Sequence, residues 1–306
     1  MRGRADAVKA RPVVPSSPLA VKTLIVNADD FGLSREVNAA VIKAHREGIL
    51  TSASLMVAEA HRDEAISLAR EHAQLDVGLH AVVCRGRSVL PPAEIAPAVD
   101  ALGRFPDNAV LAGLRWYFDK QLRAKLAAEL RAQVETHLKL VGYLNHIDGH
   151  LNFHVHPVVA DILVGLAVEY KVPCLRMPRE PVLTTLRLRR DHAPRKAVEG
   201  AIFRALSGRT RRLMRKQGLR STDSLFGLHQ SGHLDEDYVV AIIDRLREGN
   251  TELYFHPAMD IGATPPSAPA QVELEILTSP RVRDALVGRG VRLTNFAELA
   301  RGRVPA

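Results

Sequence analysis

The chain has 306 residues, 46% of them hydrophobic and 25% charged, which is enough apolar material for a sizeable buried core, and no stretch of it approaches the length of a membrane span. Its only two cysteines, Cys84 and Cys174, exclude a disulfide framework or a thiolate zinc site, so any metal here must rest on His and carboxylate. The formal net charge is +8, but twelve Arg and Lys between Arg187 and Arg220 face only Asp191 and Glu199, a local +10 that leaves −2 for everything else.

Met1 to Ala20, with Pro12, Pro15, Ser16, Ser17 and Pro18, has the composition of a disordered arm and lacks the apolar run of a signal peptide. The fold is expected to begin at Val21 and the protein to be cytoplasmic. Strands are predicted at 23–27, 50–57, 76–80, 144–149, 173–176, 252–256 and 291–294. Helical patterns fall between them at 34–47, 60–72, 119–141, 157–170 and 235–247, with Ser34 placed to cap the first and Gly48 and Gly142 where helices should end. Repeated strand–helix units imply a single domain built on a mainly parallel sheet, open or closed into a barrel. Residues 81–118, with Pro91, Pro92, Pro97, Gly103 and Pro106, are expected to form a long loop or lid, and residues 187–220 a basic insertion.

The chemistry-bearing residues gather at strand ends. Asp29 and Asp30 follow the first strand, a pair that taken alone fits a helix cap and turn better than a site. His80 ends the third strand. The run His146-Ile147-Asp148-Gly149-His150, followed by His154 and His156, puts His146, Asp148 and His150 on one face by strand alternation. His256 leaves the strand at 252–256 into Pro257. In parallel α/β folds, sites assemble at the carboxyl ends of strands from residues distant in sequence, and all four signals fall there. Two imidazoles and a carboxylate suit catalytic zinc, with magnesium or another divalent ion as the alternative. Asn27 stands near the carboxylates. His45, His61, His72 and His137 lie on helical patterns and are expected to be solvated.

The stretches Asn27-Ala28-Asp29-Asp30-Phe31-Gly32, Gly78-Leu79-His80, His146-x-Asp148-x-His150 with His154 and His156, and His256-Pro257 resemble the YdjC-like carbohydrate deacetylases. The resemblance implies an irregular, TIM-like barrel and metal-dependent removal of an acetyl group from an amino sugar. It implies Asp30, His80 and His150 as metal ligands, Asp29 as base and His256 as general acid. Asn27, His146, Asp148, His154 and His156 would be supporting or substrate-facing. Within the family the chain looks closest to the hopanoid-biosynthesis-associated members, which implies an N-acetylglucosaminyl hopanoid lipid as substrate. In Ala81-Val82-Val83-Cys84 it departs from the more polar continuation of many sugar-specific relatives.

In the basic segment, Val198, Ile202, Ala205 and Leu206 recur at helical spacing among Arg and Lys, with Phe203 and Leu213 nearby. Such a helix suits an anionic membrane surface or, more simply, a core-facing helix with a solvated basic face. It matches no nucleic-acid module, so nucleic acid is not an expected partner. The rival functions are a deacetylase of soluble chitooligosaccharides and a non-catalytic lipid or polyanion binder.

Overall fold

The computed structural model describes residues 21–262 and 265–302; the arm expected at 1–20 lies outside the described residues. In chain order the elements are β1 (Lys22–Phe31), α1 (Arg35–Glu47), β2 (Ser52–Leu55), α2 (Arg62–Glu71), β3 (Asp76–Ala81), α3 (Pro92–Ile95), α4 (Ala109–Phe118) and α5 (Lys120–Val141). They continue as β4 (His146–Gly149), a 3-10 turn (His150–Val155), α6 (Pro157–Glu169), β5 (Cys174–Leu175), α7 (Val182–Leu188), α8 (Ala193–Lys216), β6 (Ser224–Phe226) and α9 (Glu236–Ile243). The last are β7 (Gly249–Phe255), α10 (Ala268–Thr278), α11 (Pro280–Gly288), β8 (Val291–Thr294) and α12 (Phe296–Ala300).

The strands pair in parallel in the order β5-β4-β3-β2-β1-β7-β6, with β8 against β1. β1 is the hub: its first half lies between β7 and β8, and from Asn27 onward β2 takes the place of β8. The two edge strands approach each other through residues 220–226. Leu175 donates to the Arg220 carbonyl at 3.0 Å, and Asp223 donates to the Asn250 carbonyl at 2.8 Å. The sheet is therefore a curled, irregular, TIM-like barrel in one α/β domain. Its strands are apolar because both faces are covered: Leu24, Ile25, Val26, Ala53, Leu79, Ile147 and Leu253 are all buried.

Local chemistry explains the element ends. Ser34 accepts from Val37 N–H at 3.3 Å and starts α1, while Gly142, with φ of 90°, ends α5 in the left-handed conformation that glycine adopts without steric cost. Residues 81–118 contain α3 and α4 and are tied to α5. Gln133 donates to the Val82 carbonyl and accepts its N–H, at 2.8 and 2.9 Å, and Glu129 accepts from Val89 and Leu90 N–H. In the basic segment α8 turns Ser207, Thr210 and Met214 inward and leaves Val198 and Ile202 exposed. One expectation fails: His137 is fully buried on the inner face of α5, where burial holds its imidazole down to about 3. A helix period alone does not show which stripe meets the sheet.

Candidate metal centre and catalytic cleft

β1 runs to Phe31, so Asp29 and Asp30 lie inside the strand and not beyond it. Plain alternation would send them to opposite faces. Instead the register against β2 shifts from Ala28↔Ala53 to Phe31↔Leu55, one extra residue on β1, and Asp30 takes a positive φ of 64°. Such a bulge re-aims side chains, and Asp tolerates the left-handed region better than most residues. Both carboxylates consequently reach the same mouth of the barrel.

Asp30 meets two imidazoles there. Its Oδ1 lies 3.2 Å from His80 Nε2 and 2.9 Å from His150 Nδ1, and the two nitrogens are 3.3 Å apart. Neighbouring donors around a first-row cation with bonds of about 2.1 Å stand roughly 3.0 to 3.4 Å apart, so this set fits such an ion. Burial opposes ionisation of Asp30, yet His150 and His80 hold its carboxyl well below the usual range. Burial also opposes the charge on His80, but Asp148 and Asp29 raise it to about 10, so a cation entering here displaces a proton. His80 Nδ1 is fixed by Asp148 at 2.7 Å, which turns Nε2 toward the mouth.

Beneath lies a buried network built around Arg176, which stands just past β5. Its guanidinium bonds both oxygens of Asp29 at 2.7 Å, approaches Asp148 at 2.9 Å and donates to Glu252 at 2.7 Å, above the Tyr254 ring at 4.7 Å. Asn27 donates to Asp29 and to Ser54, each at 2.9 Å, and Ser54 donates to Asp148 at 2.7 Å. Burial lifts Glu252 to about 7 although Arg176 opposes it. Asp29, His80 and Asp148 also lie close enough to share an ion, but Arg176 already occupies that charge centre. Neither Arg176 nor Glu252 was among the residues singled out in the sequence. The available signal was a charged residue at one end of each of the expected strands 173–176 and 252–256.

His256 lies at the other side of Asp29, with Nε2 3.9 Å from Oδ2, and its backbone N–H donates to Glu273. Asp29, Asp30 and His256 line a cleft of about 600 Å³ with His61 and Pro257. His146 is buried, stacked on Phe296 at 3.9 Å, with Nε2 3.2 Å from Ser54. Gly78 makes room for it, since a Cβ there would lie 2.2 Å from the imidazole. His154 is fully buried near this network, and burial holds it down to about 4. His156 is turned away, with Nε2 3.0 Å from the Gly113 carbonyl of α4. Val82, Val83 and Cys84 are buried in the core, so the apolar continuation after His80 does not line the cleft.

This arrangement, a carboxylate and two imidazoles beside an Arg-bound carboxylate at the mouth of a curled parallel barrel, could hold a divalent ion of the kind that hydrolases use. The YdjC-like protein family model matches residues 23–287, and the chain belongs to that family. A carbohydrate deacetylase of Brevibacillus brevis is 31% identical over 90% of this chain and 99% of its own length. A chitooligosaccharide deacetylase of Salmonella paratyphi B is 28% identical over 91% of this chain and 99% of its own. Among solved structures, a candidate cellobiose-phosphate cleavage protein of Enterococcus faecalis V583 superposes with a TM-score of 0.70 at 24% identity, covering 91% of this chain and 99% of that one. At that identity the likeness speaks for the fold.

Proposed function

We propose that the chain is a metal-dependent N-deacetylase of an acetylated amino sugar and that its substrate is an N-acetylglucosaminyl hopanoid glycolipid. The relatives are carbohydrate deacetylases over nearly their whole length, and the chain is accordingly a hydrolase of a linear amide C–N bond. The observation that carries the mechanism is the convergence of Asp30, His80 and His150 beside Asp29. Zinc is the proposed ion, because the donor set mixes imidazole with one carboxylate. When bound, it supplies Lewis acidity, lowering the pKa of water and polarising a carbonyl.

The chain's own residues do the rest. Asp29, oriented by Arg176 and Asn27, takes the proton of the attacking water. His256, across the cleft from the ligands, gives a proton to the departing amine. Asp148 keeps the ligating nitrogen of His80 pointed outward.

The lipid-linked substrate is supported by α4, which packs at the mouth end through the His156–Gly113 contact and leaves Val110, Leu111, Leu114 and Phe118 exposed, Phe118 by 73%. Those positions follow helical spacing and form one apolar face. With the basic segment they suit peripheral contact with the inner membrane surface. Among the described residues no helix is long and apolar enough to cross a membrane. The second reading, a soluble chitooligosaccharide substrate, is favoured by the name of the Salmonella relative.

Acetate release separates the readings, measured on an N-acetylglucosaminyl lipid and on diacetylchitobiose, with the Asp30→Ala and chelated proteins beside the native one. Release from the lipid that needs both metal and Asp30 is expected. Release from diacetylchitobiose alone replaces the lipid, and none from either with metal bound leaves a non-catalytic binder.

A further inference from the structure

A second cavity, of about 490 Å³, lies outside the barrel between α7, α8 and β6. It runs along β6 from Leu228 and His229 at the strand's exit to Asp223 and Arg247 at its entry. Arg179, Arg187, Arg204 and Arg247 line it, and among the described residues none of the four guanidinium groups has a carboxylate partner or hydrogen bond. Other surface arginines divide between paired and unpaired, with Arg211, Arg212 and Arg215 on the same helix also lacking a carboxylate among the described residues. On α8 itself Arg195 pairs with Glu199 at 2.7 Å and Arg209 with Asp161 at 2.7 Å, and elsewhere Arg131, Arg189, Arg281 and Arg289 each hold a carboxylate. The acids of the cavity are already engaged: Glu180 accepts from Leu228 and His229 N–H, and Asp223 from Asn250 N–H. Hydrogen bonds from neutral N–H groups leave both carboxylates charged, so the four guanidinium groups exceed the two acids by two positive charges.

A second, independent feature points into the same space. The His229 side chain is 1% exposed, lines the cavity, and has no hydrogen bond on either ring nitrogen, although Glu199 Oε2 stands 4.0 Å from its Nδ1. Buried polar groups are ordinarily satisfied, and the His229 Nε2, in a cavity wall and away from Glu199, is left for a ligand or water to complete. Gly200 of α8 keeps the way open, since a Cβ there would stand 3.4 Å from His229 Nε2 and 3.2 Å from Val182. Planar guanidinium groups recognise phosphate through paired N–H donors, and several converging on one cavity are the usual signature of such a ligand.

We propose that this cavity is a binding site for a phosphate-bearing ligand, held by Arg179 and Arg204 with His229 beneath, separate from the deacetylase cleft. It stands whether or not the substrate assignment above does. A neighbouring cavity continues it along α8 through Arg179, Arg204, Arg211 and Arg215, which gives room for more than one phosphate.

The test is titration calorimetry of the full chain with inorganic pyrophosphate at low salt, alongside the double variant Arg179→Ser/Arg204→Ser and the control Arg195→Ser. Removing two charge-assisted contacts should weaken binding about a hundredfold, with the control within about twofold of native. Gly200→Ala, which leaves every charge in place, should weaken it as well. Absence of pyrophosphate binding, or equal binding by the double variant, overturns the proposal. Co-sedimentation with phosphatidylglycerol vesicles identifies the source: loss in the double variant assigns a lipid headgroup, and unchanged sedimentation assigns a soluble phosphate.

Discussion

Asp29 receives three hydrogen bonds on its two oxygens, from Arg176 twice and Asn27 once, and still borders the cleft beside His256. Its orientation is set by the network, and the proposed role as base rests on the carboxylate that faces the cleft. Asp29→Asn is expected to lower turnover roughly a hundredfold or more while the cation content stays unchanged. Near-normal acetate release from a metal-loaded variant would remove Asp29 as the base. Arg176 is the opposite case. It is fully buried among Asp29, Asp148 and Glu252, so Arg176→Met strands three carboxylates without their cation. Breaking a buried charge network costs about 3–5 kcal/mol, and urea unfolding of the variant should register a loss of that order. A loss under about 1 kcal/mol would mean that the network is far wetter than its burial implies.

The elements decide what these residues can reach. The extra residue in β1 is what brings Asp29 and Asp30 to one mouth, and the short β4 delivers Asp148 to His80 before the chain turns at His150. The connection from β3 to β4 is long, yet it is anchored: Gln133 on α5 satisfies both backbone groups of Val82, two residues past His80. Gln133→Ala leaves a buried N–H and carbonyl unpaired, at about 1–3 kcal/mol each. Limited proteolysis should then cut within 82–107 faster than in the native chain, and an unchanged cleavage pattern would show that the anchor lies elsewhere.

Across the whole molecule, buried imidazoles set the response to acid. His137 and His154 are held down to about 3 and about 4 by burial, so unfolding lets each take up a proton below its ordinary value of 6.5. A base depressed in the fold contributes stability that is complete above about 6.5 and lost as pH falls, at about 1.4 kcal/mol per pH unit for each group. Glu252, raised to about 7, acts in the other direction between about 4.5 and 7, so a single substitution isolates the effect better than the total does. Relative to His137→Gln, the native protein should lose about 2 kcal/mol between pH 6.5 and 5 in urea unfolding. A gap independent of pH would show that His137 is not buried neutral. The class of fold was legible in the local sequence pattern, which also nominated candidate residues for the chemistry. Strand and helix periods are local, and a metal centre draws on few residue types, so Asp30, His80 and His150 stand out at strand ends before any contact is known. The tertiary structure alone decided that a bulge in β1 turns both aspartates to one mouth, that Arg176 and Glu252 underlie them, that His137 is interior and His156 faces α4. Each depends on which distant surfaces meet, and burial, pairing and register across a curled sheet are properties of that meeting that no local pattern encodes.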